Sequence, residues 1–157
     1  MVLWSKPRQE KAIARYLHSV RANYYLPLVR RVRFARGRKH ASMLPLFPGY
    51  LFLEGTREDG YDAISTGRVC QVLEIADQAR FAREVGQIHA ALTKGGSIEP
   101  YAFAENGRRC RVVAGPFMGF EGVISRRLGS TRLVLQLSIL GQGAALEIDI
   151  DLLEPVD

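Results

Sequence analysis

The sequence predicts two folded parts: an α+β N-terminal domain, an antiparallel sheet with flanking helices, and a small all-β barrel after it. Three observations carry this. Up to residue 94, β-rich runs alternate with two segments whose apolar residues recur at helical spacing. After residue 107, apolar residues alternate with period two. Between them, "KGGSIEPYAFAENG" mixes Gly, Ser, Pro and Asn with little periodicity, and nine of the fifteen glycines fall after residue 94. The expected division is 1–94 for the first domain, 95–107 for a linker and 108–157 for the barrel.

In chain order, "MVLW" is a short apolar strand. Pro7 suits the first turn of a helix over Gln9 to Val20, with Ile13, Leu17 and Val20 on one face. "NYYLPLVRRVRF" is rich in β-formers, and Pro27 within it favours an edge or a bulge. "ARGRKHASMLP" reads as a basic loop or hairpin tip, and "GYLFLE" as the next strand. "REDGYDAISTG" contains a short helix, and "VCQVLEI" is a strand. Phe81, Val85, Ile88 and Leu92 mark a second long helix. In the barrel, "RCRVV", "EGVISRR", "RLVLQLSIL" and "ALEIDI" are strands separated by turns at "GPFMG", "LGST" and "GQGA".

Charge divides the chain differently. The net charge is +6, yet residues 1–94 carry 16 basic and 8 acidic residues (+8), and residues 95–157 carry 6 and 8 (−2). A basic part joined to a mildly acidic part suggests two modules with different partners. Lys6 to Lys39 holds eleven Lys or Arg and one acid, Glu10. Lys6, Arg8, Lys11 and Arg15 form a stripe on the first helix, and Arg30, Arg31, Arg33, Arg36, Arg38 and Lys39 follow. Tyr16, Tyr24 and Tyr25 are interleaved, so this surface can track phosphates and stack bases.

Signals for chemistry are absent. His18, His40 and His89 are scattered, without the acidic or thiol neighbours that catalysis or a metal needs. Cys70 and Cys110 lie outside any CxxC and read as reduced, buried thiols. Asp59, Asp62, Asp149, Asp151 and Glu154 read as solvated surface. No catalytic residue, metal site or cofactor is expected, and the chain reads as a binding factor, not an enzyme. No apolar run reaches the ~20 residues that span a bilayer, so no membrane partner is expected. The start is too soon charged for a signal peptide, which points to a cytoplasmic protein.

An apolar stretch, "LPLFPGYLFLE", follows the basic segment directly. Period two puts Tyr50 and Phe52 on one face of its strand and Leu51 and Leu53 on the other. Tyr50 and Phe52 are either core residues or an exposed patch that marks a protein partner.

Both parts together resemble a known family. "KPRQEKAIARYL" and "YYLPLVRRVRFARGRKHASMLPLFPGYLFLE" resemble the N-terminal domain of NusG-type transcription elongation factors, with "FPGYLF" the most recognisable piece. "GRRCRVVAGPFMGFEGVISRR" resembles a KOW motif, and "SILGQGAALEIDIDLLEPV" the end of a NusG C-terminal domain. The resemblance implies an N-terminal domain that grips the clamp helices of RNA polymerase through Trp4, Phe47, Tyr50, Phe52 and Val69. It implies that Lys6, Arg8, Lys11 and Arg15 face the non-template DNA strand. It further implies that Ile139, Leu140 and Gly141 bind a ribosomal small-subunit protein or the termination factor Rho. Polymerase bridging would disfavour the paused state and raise processivity, while family members can promote or suppress termination. A factor that rides on polymerase is by default a monomer.

"KPRQEK" and "YLPLV" resemble the specialised, RfaH-like paralogues more than the housekeeping factor. The region matching their His-Thr-rich gate-loop turn is "REDGYDAIS", which lacks it, so the resemblance does not carry that contact. "VLQLSIL" and "ALEIDI" alternate well as strands, which predicts a stable β barrel with no switch to a helical hairpin. The alternative is a KOW-containing, ribosome-associated RNA-binding protein that keeps Tyr50 and Phe52 in its core.

Overall fold

A computed structural model describes residues 1–102, 107–127 and 129–156. Residues 103–106 of the expected linker and Leu128 of the expected "LGST" turn lie outside the described residues. The chain divides into two compact units, Met1–Ala76 and Asp77–Asp157.

The first unit begins with β1 (Val2–Ser5) and α1 (Glu10–Ser19). The single expected strand after α1 is two, β2 (Asn23–Tyr25) and β3 (Leu28–Ala35). Pro27 lies at the break, where it lacks the N–H a continuous ladder needs. Of the expected basic loop or hairpin tip, the hairpin is what forms, with most of the segment in strand: β4 (Arg38–Pro45) pairs with β3 along its whole length, leaving Arg36 and Gly37 as a two-residue turn. Both turn residues have positive φ, +53° and +71°, the pattern of hairpin turns whose twist matches that of the strands. Holding Arg36 there costs roughly 1 kcal/mol relative to glycine.

The chain continues through β5 (Tyr50–Glu54), α2 (Arg57–Ser65) and β6 (Val69–Leu73). A capping box starts α2: the Thr56 hydroxyl accepts the Asp59 N–H, and the Asp59 carboxylate accepts the Thr56 N–H. The strands form an antiparallel sheet in the order β2-β5-β1-β6, and β3–β4 stands as a separate two-stranded ribbon. Leu3, Leu51 and Leu53 on one face of the sheet form the core with Ile13 and Leu17 of α1 and Ala63 of α2. Each large apolar side chain among them contributes about 1.5–3 kcal/mol by burial.

The second unit begins with α3 (Gln78–Thr93), whose N-cap Asp77 accepts the Arg80 N–H. β7 (Ile98–Ala102), β8 (Arg109–Val112), β9 (Glu121–Arg127), β10 (Ser130–Leu137), β11 (Gln142–Glu147) and β12 (Leu153–Pro155) form one sheet in the order β12-β8-β9-β10-β11-β7. β7 occupies part of the expected linker; it sits at a sheet edge, where its Pro100 is tolerated. Gly122 lets β9 pass close to β10, since a Cβ there would collide with the Val134 carbonyl oxygen. Leu133, Leu135, Leu137 and Leu146 are fully buried, as expected, but so is Val134 between them, while Ile150, expected to continue the Leu146 series, is exposed in a short turn after β11. This unit is thus a small all-β assembly with one helix packed on it.

Candidate protein and nucleic-acid interfaces

The register of the first sheet sorts its faces. Trp4 pairs with Tyr50 and Gln71, and Val2 pairs with Phe52 and Leu73. These six share the face opposite the leucine core, joined by Tyr25, which pairs with Phe52. Trp4 is 45% exposed and Tyr50 is half-buried, while Phe52 is only 5% exposed. The choice between core and patch is therefore split: the face is aromatic, with Trp4 and Tyr50 at its surface and Phe52 beneath. The Phe47 ring is fully buried and meets Phe52 edge-on at 6.4 Å, and Tyr25 lies at the same distance on a tilt. Burial pushes the Tyr25 phenol up to about 12.

Val69 lies elsewhere. A register shift between Trp4 and Ser5 makes Val69 the partner of Ser5, and it joins the leucine core on the helix side. The same shift accompanies an exposed Cys70, so only Cys110 is buried as expected.

The turn before β5 is fixed by a residue that no sequence motif singles out. Glu10 is 7% exposed, and its carboxylate accepts the Gly49 N–H at 3.1 Å. The Gly49 carbonyl accepts the Ser5 N–H at 2.7 Å, and the Tyr50 N–H reaches the Phe47 carbonyl. Gly49 has φ +91°, open to glycine and strained for other residues, and a Cβ on it would lie 3.7 Å from the Trp4 ring. So "FPG" is pinned between β1 and α1, and that fixes how Trp4 and Tyr50 are presented. The available signal is composition: Glu10 is the only acid among eleven cations from Lys6 to Lys39.

Lys6, Arg8, Lys11 and Arg15 are all exposed. Lys11 and Arg15, one turn apart on α1, lie opposite the buried Ile13 and Leu17 face. No ion pair neutralises any of the four among the described residues, so their charge is available to an anionic partner.

In the second unit, Ile139 is exposed, Leu140 half-buried and Gly141 exposed with φ +61°. They lie in a tight turn that α3 holds: the Glu84 carboxylate accepts the Ser138 N–H at 3.2 Å and its hydroxyl at 2.8 Å. Gln87 makes two reciprocal bonds with the Glu121 backbone, each 2.8 Å. Lys94 donates to the Pro116 carbonyl at 2.9 Å and sits 5.5 Å over the Phe120 ring. Hydrogen bonds from Arg111 and Arg109 hold the Glu121 carboxyl below its usual range.

Two family matches cover most of these features, the Ile139–Gly141 turn lying beyond both. Residues 1–94 match the family described as transcription termination factor NusG, and residues 106–136 match the KOW motif. The chain belongs to the NusG family. It is therefore a transcription elongation factor in the broad sense, with the α+β and KOW-bearing all-β parts that the sequence predicts. The NusG match includes α3, which packs on β10 of the second unit. No helix among the described residues is long and apolar enough to cross a membrane.

Proposed function

We propose that this NusG-family protein binds the clamp helices of RNA polymerase through the aromatic face of its first sheet, and that this contact suppresses pausing. The observation that carries the reading is the Trp4–Tyr50 pair, adjacent across β1 and β5 on the face turned away from α1 and α2. An aromatic pair at the surface, exposed Trp4 beside half-buried Tyr50, above a buried layer, here Phe47 and Phe52, is the composition of a protein-binding hot spot. Val69 supports the sheet from the core side.

Lys6, Arg8, Lys11 and Arg15 then face the non-template DNA strand. The division of labour is polymerase binding by the first unit, Met1–Ala76, and recruitment by the second, Asp77–Asp157, whose sheet takes β7 from the expected 95–107 linker ahead of the expected 108–157 barrel. The Ile139–Gly141 turn takes a ribosomal small-subunit protein or Rho, with Ile139 as the apolar anchor. The action is mechanical: the factor binds the elongating state more tightly than the paused state and shifts the population between them. It works as a cytoplasmic monomer without a cofactor, in the manner of a specialised, RfaH-like antitermination factor.

The test is pause escape by purified RNA polymerase on a template with one strong pause. Wild-type protein shortens the pause, and Trp4→Ala/Tyr50→Ala does not. A pause half-life unaffected by saturating wild-type protein would overturn the proposal.

A further inference from the structure

The second unit holds a cleft of about 350 Å³ between one side of α3 and the sheet. That volume lies at the small end of small-molecule sites, which run from about 300 to 1,000 Å³. Charged and amide side chains and glycines line it, and no apolar side chain does. Residues 77–157 carry nine Lys or Arg and ten Asp or Glu, a net charge of −1. Yet three of those nine cations, Arg80, Arg83 and Arg109, line this one cleft.

Arg80, Arg83 and Gln87 recur three and four residues apart, so they share one side of α3. Gln87 fixes that side to the sheet through its two bonds with the Glu121 backbone. Arg109 is supplied by β8. Two carboxylates, Glu84 and Glu121, also line the cleft, and each is engaged from elsewhere. Glu84 accepts the Ser138 N–H and hydroxyl, and Glu121 accepts two Arg111 nitrogens at 2.8 and 2.6 Å. Little is left for the cleft arginines. Arg80 stands 3.7 Å from Glu84, too far for a hydrogen bond, and Arg109 makes one bond of 3.3 Å to Glu121. The Arg83 side chain has no ion pair or hydrogen bond among the described residues.

We propose that this cleft binds a compact phosphorylated small molecule, its phosphate or diphosphate group held by Arg80, Arg83 and Arg109. Guanidinium groups suit phosphate because their planar donors engage two oxygens at once. With Arg111 counted beside its partner Glu121, four guanidiniums face two carboxylates, and a dianion matches the excess of two. The lining offers no apolar or aromatic wall, so nothing stacks a base or buries an acyl chain. A long polyanion is disfavoured because the unit around the cleft is net negative. Occupancy also bears on the neighbouring turn, since Glu84 borders the cleft and holds Ser138. The site is independent of the polymerase reading.

The experiment is an NMR titration of the full ¹⁵N-labelled chain at constant ionic strength. The probes are sodium pyrophosphate, inorganic phosphate and a short single-stranded DNA. Pyrophosphate shifts the Gly119, Gly122 and Ser138 amides along one saturable curve, and inorganic phosphate follows more weakly. Arg80→Gln/Arg83→Gln raises the pyrophosphate Kd at least tenfold. Arg80→Lys/Arg83→Lys loses less, because the charge stays and only the planar fork goes. Arg126→Gln, outside the cleft, binds within twofold of wild type. The amide spectrum of each variant shows that it is folded.

A response that stays linear to the end of the titration would overturn the site. So would equal loss from Arg126→Gln, or DNA that shifts the same amides at lower concentration than pyrophosphate. Wild-type protein that fails to capture RNA polymerase but saturates with pyrophosphate would remove the polymerase reading and leave the cleft standing.

Discussion

Replacing Glu10 by alanine removes the carboxylate that accepts the Gly49 N–H at 3.1 Å. Glu10 is buried, so water replaces that bond poorly, and Gly49 is left with an unmet donor. A hydrogen bond to a charged group contributes about 1.5–3 kcal/mol, which puts the loss near 2 kcal/mol. With a urea slope of about 1 to 1.5 kcal/mol/M for so small a unit, the midpoint falls by roughly 1.5 M. Glu10→Gln keeps an acceptor but not the charge, and about half the loss follows. Trp4 is the chain's only tryptophan and lies against this turn, so its fluorescence reports the unit that Glu10 stabilises. The alanine variant also red-shifts Trp4 emission before unfolding, because the loosened turn exposes the indole further. Midpoints for both variants within roughly 0.3 M of wild type would refute the reasoning, since the bond would then contribute less than ~0.5 kcal/mol.

Gly49→Ala forces a side chain into φ +91° and costs about 1–3 kcal/mol from backbone strain, since its Cβ meets Trp4 only at ordinary contact distance. Thermal melts followed at Trp4 check it. Gln87→Ala removes both bonds to the Glu121 backbone and lowers the second unit's stability by about 1–3 kcal/mol, with faster exchange of the Glu121 amide by NMR. Glu121 is depressed in the folded state, so its contribution is full above its ordinary pKa of 4.5 and fades as pH falls below it. Arg111→Gln moves the Glu121 carboxyl back toward that ordinary value in an NMR titration. Tyr25 runs the other way: its folded phenol titrates at about 12 against an ordinary 10, so stability falls as pH rises from 10 to 12. In an ultraviolet titration of the six tyrosines, Tyr25 is still protonated at pH 11, and Tyr25→Phe removes that lagging component.

Where burial and periodicity coincide, the sequence is legible. Ile13 and Leu17 mark α1, and Leu133, Leu135 and Leu137 mark β10, because each series packs on one side of its element. β4 reads as a loop or hairpin tip, not as a full strand, because an exposed ribbon needs no apolar alternation, and Arg38-Lys39-His40 carries no burial pattern. β7 is hidden by Pro100, which an edge strand accepts. At the site, alternation puts Tyr50 and Phe52 on one face correctly, yet it carries no depth, so it does not separate a half-buried Tyr50 from a buried Phe52. Val69 goes to the opposite face through a one-residue register shift that no pattern announces. Glu10 is visible as a lone acid, but its partner, Gly49, is 39 residues away.

The central claim is that the aromatic sheet face is the polymerase-binding surface. It is tested most directly by capturing core RNA polymerase, and separately its isolated clamp-helix fragment, with wild-type protein and with Trp4→Ala/Tyr50→Ala. These two positions are chosen because neither is fully buried, so the substitutions leave the leucine core intact. The account predicts that wild type binds both and that the folded double variant binds at least tenfold more weakly, the loss of about 1.4 kcal/mol or more that hot-spot aromatics carry. Equal binding by the folded double variant would contradict it.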